Sequence, residues 1–92
     1  MSDKKIIREA VIKDVIDIFI ETLGFLDEAE KKSVNENTHI IKDFNVVDID
    51  SMAFDIALVE HFLVKPDLEE WGQAAHIREV ADLFIKYMNK KP

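Results

Sequence analysis

The chain contains no cysteine and only two glycines and two prolines among its 92 residues. Without cysteine, disulfides and thiolate-ligated metals are excluded. An all-β domain needs many turns, so the scarcity of glycine and proline favours helices. No apolar run approaches the ~20 residues of a membrane-spanning helix, and the N-terminus lacks the apolar stretch of a signal peptide. We therefore expect an all-α protein with a cytoplasmic location.

Acidic residues outnumber basic ones by 19 to 12, which gives a net charge of −7. Nucleic-acid binding depends on Lys and Arg that neutralise phosphates, so this function is not expected. An acidic surface instead suits docking onto basic proteins. The hydrophobic content of 48% is sufficient for a packed core. Residues 1–92 are expected to form a single, monomeric domain.

The first part of the chain combines one helical pattern with one polar stretch. Apolar residues at three- and four-residue spacing predict a helix from about Asp3 to Leu23. Ser2 or Asp3 can cap its start, and Gly24 suits the left-handed position that follows its end. Residues 25–43 are mostly polar, which predicts a long loop pinned by a few apolar side chains and containing a short helical turn.

The second half predicts three further helices. One begins between Asp48 and Ser51, ends near Phe62, and is apolar on more than one side. Such a helix either lies at the centre of the core or faces a ligand cavity or a partner. Residues 67–73 predict one or two short helical turns, and residues 77–88 predict a final amphipathic helix.

No pattern in the chain predicts an enzyme or a metal site. His39, His61 and His76 lack metal-ligand spacing. Ser51 lacks the G-x-S-x-G elbow of a hydrolase and has no histidine close to it in sequence. Residues 25–43 contain no glycine, so they cannot form a phosphate-cradling loop. Read by itself, Ser51 suits a helix cap.

Five segments nevertheless follow one another as they do in a known family. They are Glu21-Thr22-Leu23-Gly24-Phe25, Thr38-His39-Ile40-Ile41-Lys42-Asp43-Phe44, Asp50-Ser51-Met52, Leu63-Val64-Lys65-Pro66, and the stretch from His76 to Phe84. The first resembles the E-x-L-G close of the first helix of acyl carrier proteins. The second resembles the run into the D-L-G-x-D-S-L signature of this family, and the third resembles the D-S-L at its end. The fourth resembles the G-I-x-I-P connector, and the fifth resembles the closing helix. The resemblance covers nearly the whole chain.

This resemblance implies a small acyl-carrier-like bundle of three main helices plus one short helix, with a long first loop. Ser51 would carry 4′-phosphopantetheine, whose thiol holds an acyl group as a thioester for fatty-acid, lipid or polyketide-type synthesis, without catalysis by the carrier. The implied partners are a phosphopantetheinyl transferase and acyl-transfer or synthase enzymes with basic docking patches. The residues expected to face these partners are Asp50, Met52, Asp55, Ile56, Val59 and Glu60.

The alignment around the serine permits a second register. Asn45 stands where the signature has glycine, and an alignment without gaps places Asp48 rather than Ser51 at the attachment position. Aspartate cannot accept the arm in its usual linkage, so this register implies an unmodified acyl-carrier-like interaction or regulatory module. A third hypothesis is an acidic helical bundle unrelated to the family. The residue that begins the helix ending near Phe62 distinguishes the two registers.

Overall fold

The computed structural model describes residues 6–90, which form five helices. These are α1 (Arg8–Leu23), α2 (Glu28–Ser33), α3 (Asp48–Phe62), α4 (Leu68–Gln73) and α5 (Ile77–Lys90). Within this range there is no strand, and an isolated antiparallel bridge pairs His39 with His76. The prediction of a small all-α fold is confirmed. Its three long helices are accompanied by two short ones.

The first helix starts later than predicted and ends where predicted. It begins at Arg8. Ile7, directly before it, has extended backbone geometry and makes no side-chain capping hydrogen bond. The predicted caps Ser2 and Asp3 lie outside the described residues. At the other end Gly24 adopts a left-handed φ of 67°, and its N–H donates to the carbonyl of Ile20 at 3.2 Å. This left-handed C-terminal glycine confirms the predicted helix end.

The long connection between α1 and α3 contains the predicted short helix. The Asp27 carboxylate accepts the Glu30 N–H at 2.8 Å, and the Glu30 carboxylate accepts the Asp27 N–H at 2.9 Å. This reciprocal capping box stabilises the start of α2. Of the apolar residues expected to pin the connection, some are buried and others exposed: Leu26, Val34 and Ile40 are buried, Phe44 is partly buried, and Phe25 and Ile41 are exposed.

The core lies where α1 packs against α3 and α5, with α4 resting on α5. Its centre is a chain of aromatic rings. Phe19 of α1 meets Phe54 of α3 edge-on, with ring centroids 5.2 Å apart. Trp71 of α4 lies 6.1 Å from the rings of both Phe54 and Phe84. Edge-to-face packing adds to the ~1.5–3 kcal/mol gained by burying each large side chain, so these contacts fix α3 and α4 relative to α1 and α5.

The connection from α3 to α4 is short and well anchored. Leu63 adopts a left-handed φ of 60° and ends α3, its N–H donating to the carbonyl of Val59 at 2.8 Å. The predicted short helical segment over residues 67–73 is present as α4, which begins at Leu68 after Asp67 as N-cap. The Asp67 N–H donates to the Tyr87 hydroxyl at 3.2 Å, which joins this helix start to α5.

Candidate functional site

The candidate site is the start of α3, where the two registers differ. The helix begins at Asp48, with Val47 as an N-cap that makes no side-chain hydrogen bond. The Ser51 N–H donates to the Val47 carbonyl at 2.9 Å, so Ser51 already belongs to the regular hydrogen-bond ladder. Three residues advance a helix by about 4.5 Å. Ser51 therefore lies about one turn inside α3, and Asp48 is its exposed first residue.

Ser51 also belongs to the inward-facing row of α3. It precedes Phe54 by three residues and Leu58 by seven, a spacing that places all three on one helix face. Phe54 and Leu58 are almost completely buried, and Ser51 itself is half-buried. Within residues 6–90 its hydroxyl makes no hydrogen bond. The side chain predicted to carry the arm thus stands at the outer end of a row directed toward the core.

The outer face of α3 presents an apolar row to solvent. Ile49, Met52 and Ile56 follow one another at helical spacing and are 77%, 64% and 55% exposed. Val47, directly before the helix, is exposed as well. Because Phe54 and Leu58 fill the core side of the same helix, α3 carries apolar side chains on both faces. Exposed apolar side chains that adjoin one another can form a surface that binds another molecule.

The predicted partner-facing residues divide between exposed and partly buried positions. Met52, Ile56 and Glu60 are exposed. Asp50 and Asp55 are half-buried, and Val59 packs partly against the core. Ile49 was not among the predicted residues, although it is the most exposed of the row. Its spacing of three residues before Met52 was the signal that could have identified it.

The charges of α3 are all of one sign apart from a histidine near its end. Asp48, Asp50, Asp55 and Glu60 are its acids, and its sequence contains no lysine or arginine. Asp48 and Asp50 lie in the first turn, where negative charge complements the helix dipole and compensates for the missing side-chain cap. Burial raises the pKa of the Asp55 carboxyl above its usual value, and the charge of Lys65 partly offsets this.

These charges decide how well the helix start suits a phosphopantetheine arm. A phosphodiester on Ser51 would have Asp48 three residues before it and Asp55 four residues after it, both on neighbouring positions of the helix surface. Like charges at these spacings destabilise a helix, and α3 offers no lysine or arginine to compensate. The residues around Ser51 therefore fit the negatively charged arm poorly.

The turn before α3 contains a residue with left-handed backbone geometry. Asn45 adopts a left-handed φ of 52°, a region that glycine enters freely and asparagine tolerates better than most residues. The Val46 N–H then donates back to the carbonyl of Ile41 at 2.9 Å. This bond closes the turn in the manner of a helix that ends on a left-handed residue. Asn45 thus fills the conformational role of a glycine at this point of the chain.

Three further findings concern the whole described chain. Comparison with protein-family models, with curated proteins and with solved structures finds no match in any of the three. Among the helices within residues 6–90, none is both long enough and apolar enough to cross a membrane. In the same residues no group of three or more histidine, aspartate or glutamate side chains is placed to hold a metal ion.

Proposed function

We propose that this chain is an acyl-carrier-like interaction module that docks onto a partner protein through the outer face of α3 and carries no covalent arm. The outer face consists of Ile49, Met52 and Ile56 with the acids beside them. The observation that carries the proposal is the exposure of this apolar row on a helix whose other face already fills the core.

The partner's chemistry follows from the charges around the row. Asp48, Asp50, Asp55 and Glu60 lie on α3, and no lysine or arginine of the helix opposes them. A complementary surface presents an apolar patch to the row and basic side chains around that patch. Apolar contact would supply most of the affinity, and the charges would orient the encounter. Acyl-transfer or synthase enzymes with basic docking patches are the proposed partners.

Three features support the absence of an arm. Asp48 rather than a serine heads α3, and Ser51 lies inside the helix. Ser51 stands on the core-facing row with Phe54, and it is flanked by carboxylates at three- and four-residue spacing. Asn45 supplies the left-handed residue of the turn three positions before Asp48, which matches the alignment without gaps.

A second candidate is the modified carrier, with 4′-phosphopantetheine on Ser51. One observation favours it: Ser51 is only half-buried, and its hydroxyl makes no hydrogen bond within residues 6–90. In that case the same face of α3 would contact the transferase and the enzymes that load and unload the acyl group.

Mass spectrometry distinguishes the two candidates. The purified chain is incubated with coenzyme A and a broad-specificity phosphopantetheinyl transferase, with an established carrier protein as the positive control. We expect the intact mass to remain unchanged. A gain of one phosphopantetheine that disappears in Ser51→Ala would support the modified carrier instead. A gain that persists in Ser51→Ala would place the modification at another residue.

Site-specific photo-crosslinking tests the docking face. A photoreactive amino acid is introduced at Met52, and in a matched chain at Ala29, an exposed position on α2. In cells that produce the protein, we expect the Met52 chain to capture a discrete protein that the Ala29 chain does not. Adding Ile49→Glu to the Met52 chain should abolish this capture. Identical capture from both positions, or capture that survives Ile49→Glu, would contradict docking through this face.

A further inference from the structure

The turn that leads into α3 is held together by a histidine side chain. The Nδ1 atom of His39 accepts the backbone N–H groups of Ile41 at 3.1 Å and Lys42 at 3.0 Å. In return the His39 N–H donates to the carboxylate of Asp43 at 2.9 Å. This arrangement reproduces a capping box with an imidazole in place of the usual hydroxyl or carboxylate. We call the segment from His39 to Asn45 the capped turn.

The bonding pattern fixes the protonation state of His39. A ring nitrogen that accepts two N–H groups must present its lone pair, so the single ring proton is on Nε2 and the ring is neutral. Protonation would place a hydrogen on Nδ1, facing the N–H groups of Ile41 and Lys42. Both hydrogen bonds would be lost, and the new Nδ1–H would point at the two backbone N–H groups that had donated to this nitrogen. The cationic ring is incompatible with the capped turn as it stands.

The charged groups around the ring do not offset this loss. Asp43 lies on the same turn, and His76, from the segment before α5, meets the His39 ring with centroids 5.3 Å apart. The His76 Nδ1 donates to the Glu79 carboxylate at 3.0 Å, and this bond is retained when His76 is protonated. The Asp43 carboxylate already accepts the His39 backbone N–H, so it does not replace the two bonds that would be lost at Nδ1.

The capped turn is anchored at both of its ends. At its start, the Ile40 N–H donates to the Ala75 carbonyl at 2.8 Å and the Ile77 N–H donates to the Thr38 carbonyl at 3.0 Å, which ties the chain to the start of α5. At its end, Val46 is buried in the core, and Val47 and α3 follow it. Opening of the turn would therefore be a local event between two fixed points.

We propose that His39 is a pH-sensitive latch: the neutral ring holds the capped turn closed, and protonation releases the turn without unfolding the bundle. Release is therefore expected on acidification. The latch goes beyond the docking function and stands whether or not that proposal holds.

Nuclear magnetic resonance of the full chain tests the latch directly. At pH 7.5 the ring nitrogens of His39 should show the tautomer with hydrogen on Nε2. Between pH 7.5 and 5.5, hydrogen-exchange protection of the Ile41 and Lys42 amides should fall about tenfold or more, after correction for intrinsic exchange, because both lose their acceptor. Protection of core amides such as Phe19 and Phe84 should stay constant.

Two variants separate the latch from other titrations. In His39→Asn, the amide oxygen replaces Nδ1 as an acceptor that does not titrate, so protection at Ile41 and Lys42 should become independent of pH. In His76→Gln the pH response should remain. A response that survives in His39→Asn, or one that is lost in His76→Gln, would overturn the proposal. So would hydrogen on Nδ1 at pH 7.5, unchanged protection of the two amides, or loss of protection across the whole core.

Discussion

The backbone N–H of Ser51 donates to the carbonyl oxygen of Val47 at 2.9 Å, so Ser51 lies one turn inside α3. Asp48 thereby occupies the exposed first position of the helix. In the register without gaps, on which the proposed unmodified module rests, this is the attachment position. Asp48 is therefore the residue whose replacement tests that proposal.

Replacing Asp48 with serine should create a modifiable carrier. In Asp48→Ser a hydroxyl heads α3, and one of the two carboxylates flanking Ser51 is removed. We expect this variant to gain one phosphopantetheine when incubated with coenzyme A and a broad-specificity transferase, as read from its intact mass. The gain should persist in the double variant Asp48→Ser/Ser51→Ala. Asp50→Ser is the matched control and should gain nothing; equal modification of both variants would refute the register.

Truncation of the two faces of α3 should have very different effects on stability. Leu58 is fully buried, so Leu58→Ala should lower the free energy of unfolding by about 2–5 kcal/mol through lost burial and a cavity. Ile56 is 55% exposed on the same helix, and Ile56→Ala should change the free energy of unfolding by less than about 1 kcal/mol. Urea unfolding followed by circular dichroism measures both. Similar losses would mean that the outer row is already covered by packing within the chain.

Asn45 should respond to substitution according to its left-handed backbone. A Cβ without a compensating polar side chain is unfavourable at a φ of 52°, so Asn45→Ala should lower the free energy of unfolding by about 1 kcal/mol. Glycine enters this region freely, so Asn45→Gly should be close to neutral. Asn89→Ala, at an exposed position of α5, controls for loss of an amide. If Asn45→Ala were as stable as Asn89→Ala, the turn would have relaxed to a backbone conformation that alanine adopts without strain.

The sequence predicted the order of helices well because each long helix buries an apolar face that repeats at helical spacing. It predicted the end of α1 because Gly24 is the residue that a left-handed position favours. It left the start of α3 open because Ile49 and Met52 share one helical row, and Val47 provides no side-chain cap as a marker.

The role of His39 could not be read from periodicity, since the residue lies in an irregular segment. Its partners outside the turn are contributed by the segment before α5, 37 residues further along the chain. The one local signal was Asp43 four residues later, because a polar side chain followed at short distance by a carboxylate is the pattern of a capping box.

The start of α5 should lose stability in acid because it depends on the ionised carboxylate of Glu79. The Glu79 carboxylate accepts the N–H groups of Ala75 at 2.8 Å and His76 at 2.9 Å. These bonds, the Ala75 bond first, together with the His76 side chain, lower the pKa of Glu79 from 4.5 to about 2. Because the folded pKa lies below the unfolded one, the contribution is complete above about pH 4.5. It is lost progressively as the pH falls toward 2.

Urea unfolding at a series of pH values tests this contribution. The urea midpoint of the wild-type chain should exceed that of Glu79→Gln at pH 6, and the difference should shrink steadily between pH 4.5 and pH 2.5 as the carboxylate is protonated. Glu69→Gln, which removes an exposed acid of α4, is the matched control and should show no such convergence. A difference that stays constant down to pH 2.5 would mean that Glu79 stabilises the helix start through its shape rather than through its charge.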